Sequence, residues 1–283
     1  MAHPVRRFAK KIFITCNIIA AILFLLSCYG YLFNPQTFWF IGLLTLVSFY
    51  FLLVLLVFIF FWLVAKPLYS FISITAMLLA WAPLRQLVKI RISHSFETRK
   101  ADNTLRVMSW NVEHFKIAEY KTQPEKKMQM IGLIKNYNPD VACFQEMVAS
   151  DFNPAAINSL EFFMTELKMP YYYYSYNTKL DFDKDHRFGI IILSKFPLVN
   201  KMTVSYNPNN YNSIFQYADL VKGTDTFRLF NMHLQSLKFS DNNRKYLENP
   251  ELDEDINFQE SKSILSKLKN GFKQQQQQSD HIK

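Results

Sequence analysis

The sequence predicts N-terminal transmembrane helices followed by an α/β (α+β) domain, and two observations carry that prediction. The first is the distribution of charge. Residues 1–100 hold ten Lys/Arg against one acid, Glu97, whereas residues 101–283 hold 22 of each sign. The net charge of +9 and the pI of 9.3 therefore belong to the N-terminal third. A nucleic-acid binder is expected to carry its basic excess on the folded domain, and here that domain is neutral. The second is a change of pattern. The 54 residues from Ile12 to Ala65 contain no Asp, Glu, Lys, Arg or His, whereas from Thr104 onward short strands and helices alternate.

A bilayer core takes about 20 apolar residues per helix, so the uncharged stretch holds two spans. Asn34-Pro35 marks the turn between them, because Pro lacks a donor and ends helices. A third uncharged run, Pro67 to Leu84, has 18 residues, so residues 1–85 form an anchor of two or three helices. Met1 to Lys11 begins like a signal peptide, but the apolar run outlasts a signal h-region and no A-x-A site follows. Leu26-Ser27-Cys28 resembles a lipoprotein cleavage site; the further hydrophobic segments favour an uncleaved anchor instead. Arg6, Arg7, Lys10, Lys11 and Lys66 place the N-terminus and the second loop in the cytoplasm. Three spans then put the domain outside the cytoplasm. Two spans plus an interfacial helix would instead satisfy Arg85, Lys89 and Arg91. The expected location is integral to a bacterial inner membrane, three spans and an extracytoplasmic domain being preferred, with residues 86–103 as a basic juxtamembrane linker. Cys16, Cys28 and Cys143 have no metal-ligand spacing and read as small buried hydrophobes.

In the C-terminal part, LRVMSWNV (105–112) is a continuous apolar strand, as expected where both faces of a sheet are covered. Thr122 and Glu125 form a capping-box pattern, and the helix after them carries Met128, Ile131, Ile134 and Tyr137 on one face. Asn138-Pro139 ends it, and DVACFQE (140–146) is the next strand. Asp151 to Asn153, followed by Pro154, reads as the cap of a helix running to about Lys168. Five more strands follow at 171–176, 188–194, 198–206, 213–221 and 226–234. Asn257 to Asn270 is a polar helix, and Gln274 to Gln278 a short low-complexity run.

Three strand ends finish in groups suited to metal or phosphate: Asn111, Gln145-Glu146 and His233. Ligand sites in α/β proteins gather beyond strand ends. An amide oxygen and a carboxylate are hard ligands of the kind Mg²⁺ takes, with waters and substrate phosphate completing the shell. A nearby His can donate to a phosphate oxygen or move a proton at neutral pH. His114 and Glu113 follow Asn111 closely but read as a solvated loop. Asp181, Asp183, Asp185 and His186 read as a solvated hairpin lacking calcium-loop spacing.

The segments WNVEHF, DVACFQEM, RFGIIILSKFPL and FRLFNMHLQS resemble, in order, the motifs of the endonuclease/exonuclease/phosphatase superfamily. That superfamily includes DNase I-like nucleases, bacterial sphingomyelinases and inositol phosphatases. The resemblance, over about residues 104–270 of a partial domain spanning 104–283, implies a two-sheet sandwich of the DNase I-like type covered by helices. It implies Glu146 as the principal ligand of Mg²⁺, or of another hard divalent cation such as Mn²⁺. Asn111 would lie near metal and phosphate, and His233 would contact the scissile phosphate or assist the leaving group. The substrate would be a phosphoester of a lipid, small molecule or nucleic acid, met at a membrane. No protein partner is identifiable.

Two family motifs depart. Gly-Asp-x-Asn occurs nowhere in the chain. Ser279-Asp280-His281 matches the closing Ser-Asp-His in letters, but it follows a polar helix with no supporting strand, and is expected to be a coincidence. The domain is therefore expected to be partial and catalytically incomplete, the chain stopping before its C-terminal catalytic motifs. Two functions remain: a membrane-anchored phosphoester hydrolase, or a non-catalytic membrane-bound binding or scaffold protein with a degenerate domain.

Overall fold

Three helices follow the N-terminus: α1 (Pro4–Cys28), α2 (Pro35–Leu46) and α3 (Ser48–Ala65). By length and composition α1 and α3 could each cross a membrane. The computed structural model describes residues 4–88, 99–101, 103–176, 181–205, 214–234, 236–237, 239–248 and 254–282. These fall into two units, Met1–Ser93 with Leu237–Lys283, and His94–Ser236. Lys89, Arg91, Tyr206 and Ser213, used in the sequence reading, lie outside the described residues.

In the first unit Asn34 closes the turn as expected. Its Oδ1 accepts from the Gln36 N–H at 2.8 Å, and Pro35 opens α2. The apolar run expected as one second span is interrupted at Val47, between α2 and α3. The third run also breaks, into α4 (Ser70–Leu79) and α5 (Trp81–Leu87), with a bend of 76° at the break. Burial here is the reverse of a water-soluble bundle. Val57, Phe60 and Val64 are exposed, while Asn17, Ser27 and Ser73 are buried. The buried polar groups tie helices together: Ser73 Oγ donates to Asn17 Oδ1 at 2.6 Å, and Asn17 Nδ2 to the Tyr69 carbonyl at 3.4 Å. Tyr29 Oη donates to the Leu79 carbonyl at 2.6 Å. Between apolar helices such bonds set register, because hydrophobicity alone does not choose one.

The second unit holds the seven predicted strands and two helices: β1 (Val107–Asn111), α6 (Glu125–Tyr137), β2 (Val141–Ala149), α7 (Leu160–Leu167), β3 (Tyr171–Tyr176), β4 (Arg187–Ser194), β5 (Leu198–Ser205), β6 (Ile214–Lys222) and β7 (Asp225–His233). One sheet has the order β1-β2-β4-β3 with β1 and β2 parallel; the other is β5-β6-β7, wholly antiparallel. Strand alternation divides the core. Val141, Cys143 and Ile192 pack with Leu198, Ala218 and Leu220 of the smaller sheet. Ala142, Phe144 and Ile191 pack with Ile131, Ile134 and Phe163 of the helices. With β2 covered on both faces, its run is apolar throughout. Cys143 in this core is inert: burial pushes its thiol up to about 12. Gly189 of β4 has no alternative, since a Cβ there would sit 2.0 Å from the Ser175 carbonyl oxygen.

Two local expectations are corrected. The capping box does not form: Thr122 Oγ1 donates to the Glu119 carbonyl, and α6 starts after Pro124 without a side-chain cap. Its buried face is Lys127, Ile131 and Ile134, and Met128 is exposed. Likewise α7 begins at Leu160, where Ser159 Oγ accepts from the Phe162 N–H. Asn153 instead caps a turn, its Oδ1 accepting from the Ala155 N–H at 3.0 Å. That turn already satisfies the donors a helix start would have offered.

Two further helices, α8 (Asp241–Glu248) and α9 (Glu254–Ile282), complete the first unit. The polar helix expected over 257–270 thus extends in both directions and contains Gln274–Gln278 and Ser279-Asp280-His281.

Candidate active site

In a regular strand successive side chains face opposite sides, yet Gln145 and Glu146 both reach toward β7. The β2–β4 ladder explains this, because its register shifts between Phe144 and Met147. Two residues of β2 are left out of that ladder, the signature of a bulge. Glu146 carries the distortion with φ = +52°, a left-handed conformation that costs a non-glycine residue about 1 kcal/mol or more. Gln145 Nε2 donates to Asn231 Oδ1 at 2.7 Å, and Asn231 Nδ2 donates to the Phe144 and Ile191 carbonyls. Asn231 is buried and locks the smaller sheet onto the bulge. Two residues further along β7, on the same face, His233 Nε2 lies 3.4 Å from Glu146 Oε1.

The other oxygen of Glu146 meets a second imidazole. His114 Nε2 lies 4.0 Å from Glu146 Oε2. This corrects the reading of His114 as part of a solvated loop. Its ring rests 5.3 Å from that of Phe188 and 5.7 Å from that of Phe182. The cause is an unusual turn after β1. Glu113, His114, Phe115 and Lys116 have φ of 44°, 60°, 49° and 55°, four left-handed residues in succession. Phe115 pins this turn, fully buried against Phe144 and Phe163. Asn111 supports it from the end of β1, its Oδ1 accepting from the Glu113 N–H at 3.1 Å. Asn111 is paired in register with Gln145, so it stands beside the bulge. Burial lowers the pKa of His114, only partly opposed by the Glu146 and Glu113 carboxylates, so its imidazole is neutral at pH 7.

A second polar cluster lies under this turn. His186 is buried, against the expectation of a solvated hairpin. Its Nε2 accepts from the Asn158 N–H at 3.3 Å, so the proton sits on Nδ1 and is donated to Asp183 at 2.9 Å. Asp183 Oδ1 also accepts from the Asp185 and His186 N–H groups, each at 2.8 Å. Asn158 Nδ2 donates to the carbonyls of His114 and Val148 and so joins this cluster to the His114 turn. Asp181 pairs with Arg187.

The three residues singled out in the sequence, Asn111, Glu146 and His233, therefore meet at one end of the sandwich. His114 joins them; Asn231 and Asn158, which the sequence reading missed, hold the elements that carry them. Among the described residues no group of three or more His, Cys, Asp or Glu side chains is placed to hold a metal ion. The donor set still suits a hard cation that keeps waters and substrate oxygens: one carboxylate, and one amide oxygen with a lone pair to spare.

Several solved structures are similar in part. An endonuclease/exonuclease/phosphatase from Beutenbergia cavernae DSM 12333 is 15% identical with a TM-score of 0.36, covering 58% of this chain and 43% of its own. A family protein from Leptotrichia buccalis C-1013-b is 12% identical (TM-score 0.37), over 58% of this chain and 74% of that one. D. rerio TDP2 complexed with single strand DNA product is 16% identical (TM-score 0.35), over 53% and 57%. The chain thus spans under half the length of the first of these structures. No curated protein matches it. Residues 10–87 match a domain of unknown function, DUF8431. Residues 108–262, just over half of the chain, match the endonuclease/exonuclease/phosphatase family, whose members commonly use divalent metals. With all four motif segments inside that match, the chain belongs to the endonuclease/exonuclease/phosphatase family.

Proposed function

We propose that this protein is a membrane-anchored phosphoester hydrolase working at Glu146. The observation that carries the reading is the strained carboxylate of Glu146 set between two imidazoles, His233 at 3.4 Å and His114 at 4.0 Å. Left-handed non-glycine residues cluster at functional sites, and this one carries its carboxylate at a strand end. Glu146 and Asn111 would hold Mg²⁺ or a similar cation, which supplies charge neutralisation to a phosphoester when bound. His233 donates a hydrogen bond to a phosphate oxygen or passes a proton to the departing alkoxide. Neutral His114 holds the opposite side of the carboxylate. Water adds to phosphorus as the ester P–O bond breaks, and the alkoxide leaves as an alcohol.

A membrane position is supported by α1 and α3, and the hydrogen bonds give it a sense. Arg6, Arg7, Lys10 and Lys66 gather at one end of the helices, the cytoplasmic end by the positive-inside rule. Tyr29 Oη meets Leu79 O at the other, so α4 ends beside the far end of α1. That favours a third crossing and an extracytoplasmic sandwich.

The test is hydrolysis of bis-p-nitrophenyl phosphate with Mg²⁺ by the full chain in detergent. Wild type is expected to exceed Glu146→Gln by more than about 100-fold, the scale of losing a principal charge-stabilising group. Equal rates would leave the scaffold reading in place.

A further inference from the structure

We propose that the cavity between the start of α1 and the end of α3 binds the phosphate and upper acyl chain of an anionic phospholipid. The inference rests on reading α1 and α3 as membrane spans. The cavity measures about 790 Å³, within the range of small-molecule sites. Its mouth is cationic: Arg6, Arg7 and Lys10 come from α1, and Lys66 follows α3. Residues 1–96 contain no Asp or Glu, and among the described residues no carboxylate forms an ion pair with these four cations. Lys10 and Lys66 share one aromatic ring instead, their Nζ atoms 4.9 and 5.8 Å from the centroid of Tyr69. One ring is a poor counter-charge for two ammonium groups.

The wall is aromatic. Phe13 stacks on Phe61 at 4.9 Å, and Trp62 bridges Phe61 and Tyr69 at 5.0 and 4.9 Å. Trp62 is only 3% exposed, and its indole N–H has no hydrogen-bond partner among the described residues. A buried donor without an acceptor is costly. Cations without carboxylate partners at the mouth and an apolar, aromatic wall match a phosphodiester followed by a hydrocarbon chain. A free phosphate would use the cations and leave the wall empty. Basic pockets between helices on the cytoplasmic side are where anionic headgroups collect.

The experiment uses the full chain. Membranes are first washed with alkaline carbonate, and the retained protein is purified and titrated by native mass spectrometry. Dioleoylphosphatidylglycerol, dioleoylphosphatidylcholine and inorganic phosphate are the probes. Wild type is expected to bind one phosphatidylglycerol in preference to phosphatidylcholine, undisturbed by phosphate. Arg7→Gln/Lys10→Gln/Lys66→Gln should weaken that binding roughly 100-fold. The control Arg85→Gln/Lys89→Gln/Arg91→Gln removes equal charge and should bind as wild type does. Equal loss in the control, equal binding of phosphatidylcholine, or displacement by phosphate would overturn the site. Loss of the wild-type chain in the carbonate wash would overturn the membrane reading itself; retention without lipid preference would overturn only this proposal.

Discussion

Two polar clusters linked through Asn158 differ in burial, bonding and backbone strain. At His186 the side chain is buried, its tautomer set by Asn158 and Asp183, and the bonds run from 2.8 to 3.3 Å. At Glu146 the carboxylate is partly open, its backbone is strained, and both imidazole contacts are 3.4 Å or longer. The first is bonded largely as a buried network must be to offset desolvation, with Asn158 Oδ1 left without a hydrogen-bond partner among the described residues. The second spends stability on holding a charge where a ligand can reach it. A buried network and an open strand-end site, joined through Asn158, divide the tasks of supporting and reacting.

That division can be broken by mutation. The largest effect is expected from His186→Ala, which leaves the Asn158 N–H without its acceptor and opens a cavity where the buried imidazole sat. Loss of about 3 kcal/mol in chemical denaturation of the full chain is expected, whereas Glu146→Ala should change stability by less than about 0.5 kcal/mol. Equal losses at both positions would dissolve the distinction. Next is Lys127, buried with its Nζ 2.5 Å from the Ile157 carbonyl and 4.0 Å from the Phe162 ring centroid. Burial depresses its pKa to about 8 from 10.5. The unfolded chain then binds more protons than the folded one between those values, so stability rises with pH across that window. Lys127→Met should stabilise by about 1 kcal/mol at pH 7, and its advantage in melting temperature should shrink as pH climbs from 8 toward 10.5.

A smaller gain, about 0.5 kcal/mol, is expected from Glu146→Asn, because Asn tolerates the left-handed region; a clear loss would mean that the carboxylate stabilises the fold after all. The smallest effect concerns acid. Burial raises the Asp183 carboxyl, but hydrogen bonds from His186 and from the Asp185 and His186 N–H groups more than offset this and hold it below its ordinary value. The stability it contributes is present above the unfolded value and lost as pH falls through the folded one. The acid limb of a melting-temperature profile should accordingly be shallower in Asp183→Asn than in wild type.

Much of the sandwich was legible because each strand is a short apolar run bounded by Asn, Pro, Asp or Lys. Glu146 was legible as an acid at the end of VACF, and His233 as a lone imidazole closing a strand. The bulge was not. No Gly or Asn marks Glu146, and the left-handed φ arises from ladder geometry and the Asn231 tether, which are tertiary. His114 was misread for the same reason, since four left-handed residues without glycine contradict local preference and depend on Phe115 for their hold. The buried face of α6 was displaced toward Lys127, where an aromatic ring and a carbonyl outweigh the usual exclusion of lysine. His186 sat in a run of acids that looks hydrophilic in every window, and only the backbone bonds to Asp183 make it a core residue.

The bond between Gln145 and Asn231 also orders events in time. The two residues are 86 positions apart, and His233 follows Asn231 by two. At synthesis rates of about 5–20 residues per second, roughly 4–17 s separate the emergence of the two ends of that bond. During the interval the first sheet can pair, yet the bulge has no amide to brace it and Glu146 has no imidazole from β7. The nascent chain therefore carries its future site as an unassembled strand end. Only when the last strand docks does the glutamate acquire its imidazole neighbour from β7, so that assembly of the site is itself a report that the second sheet has closed.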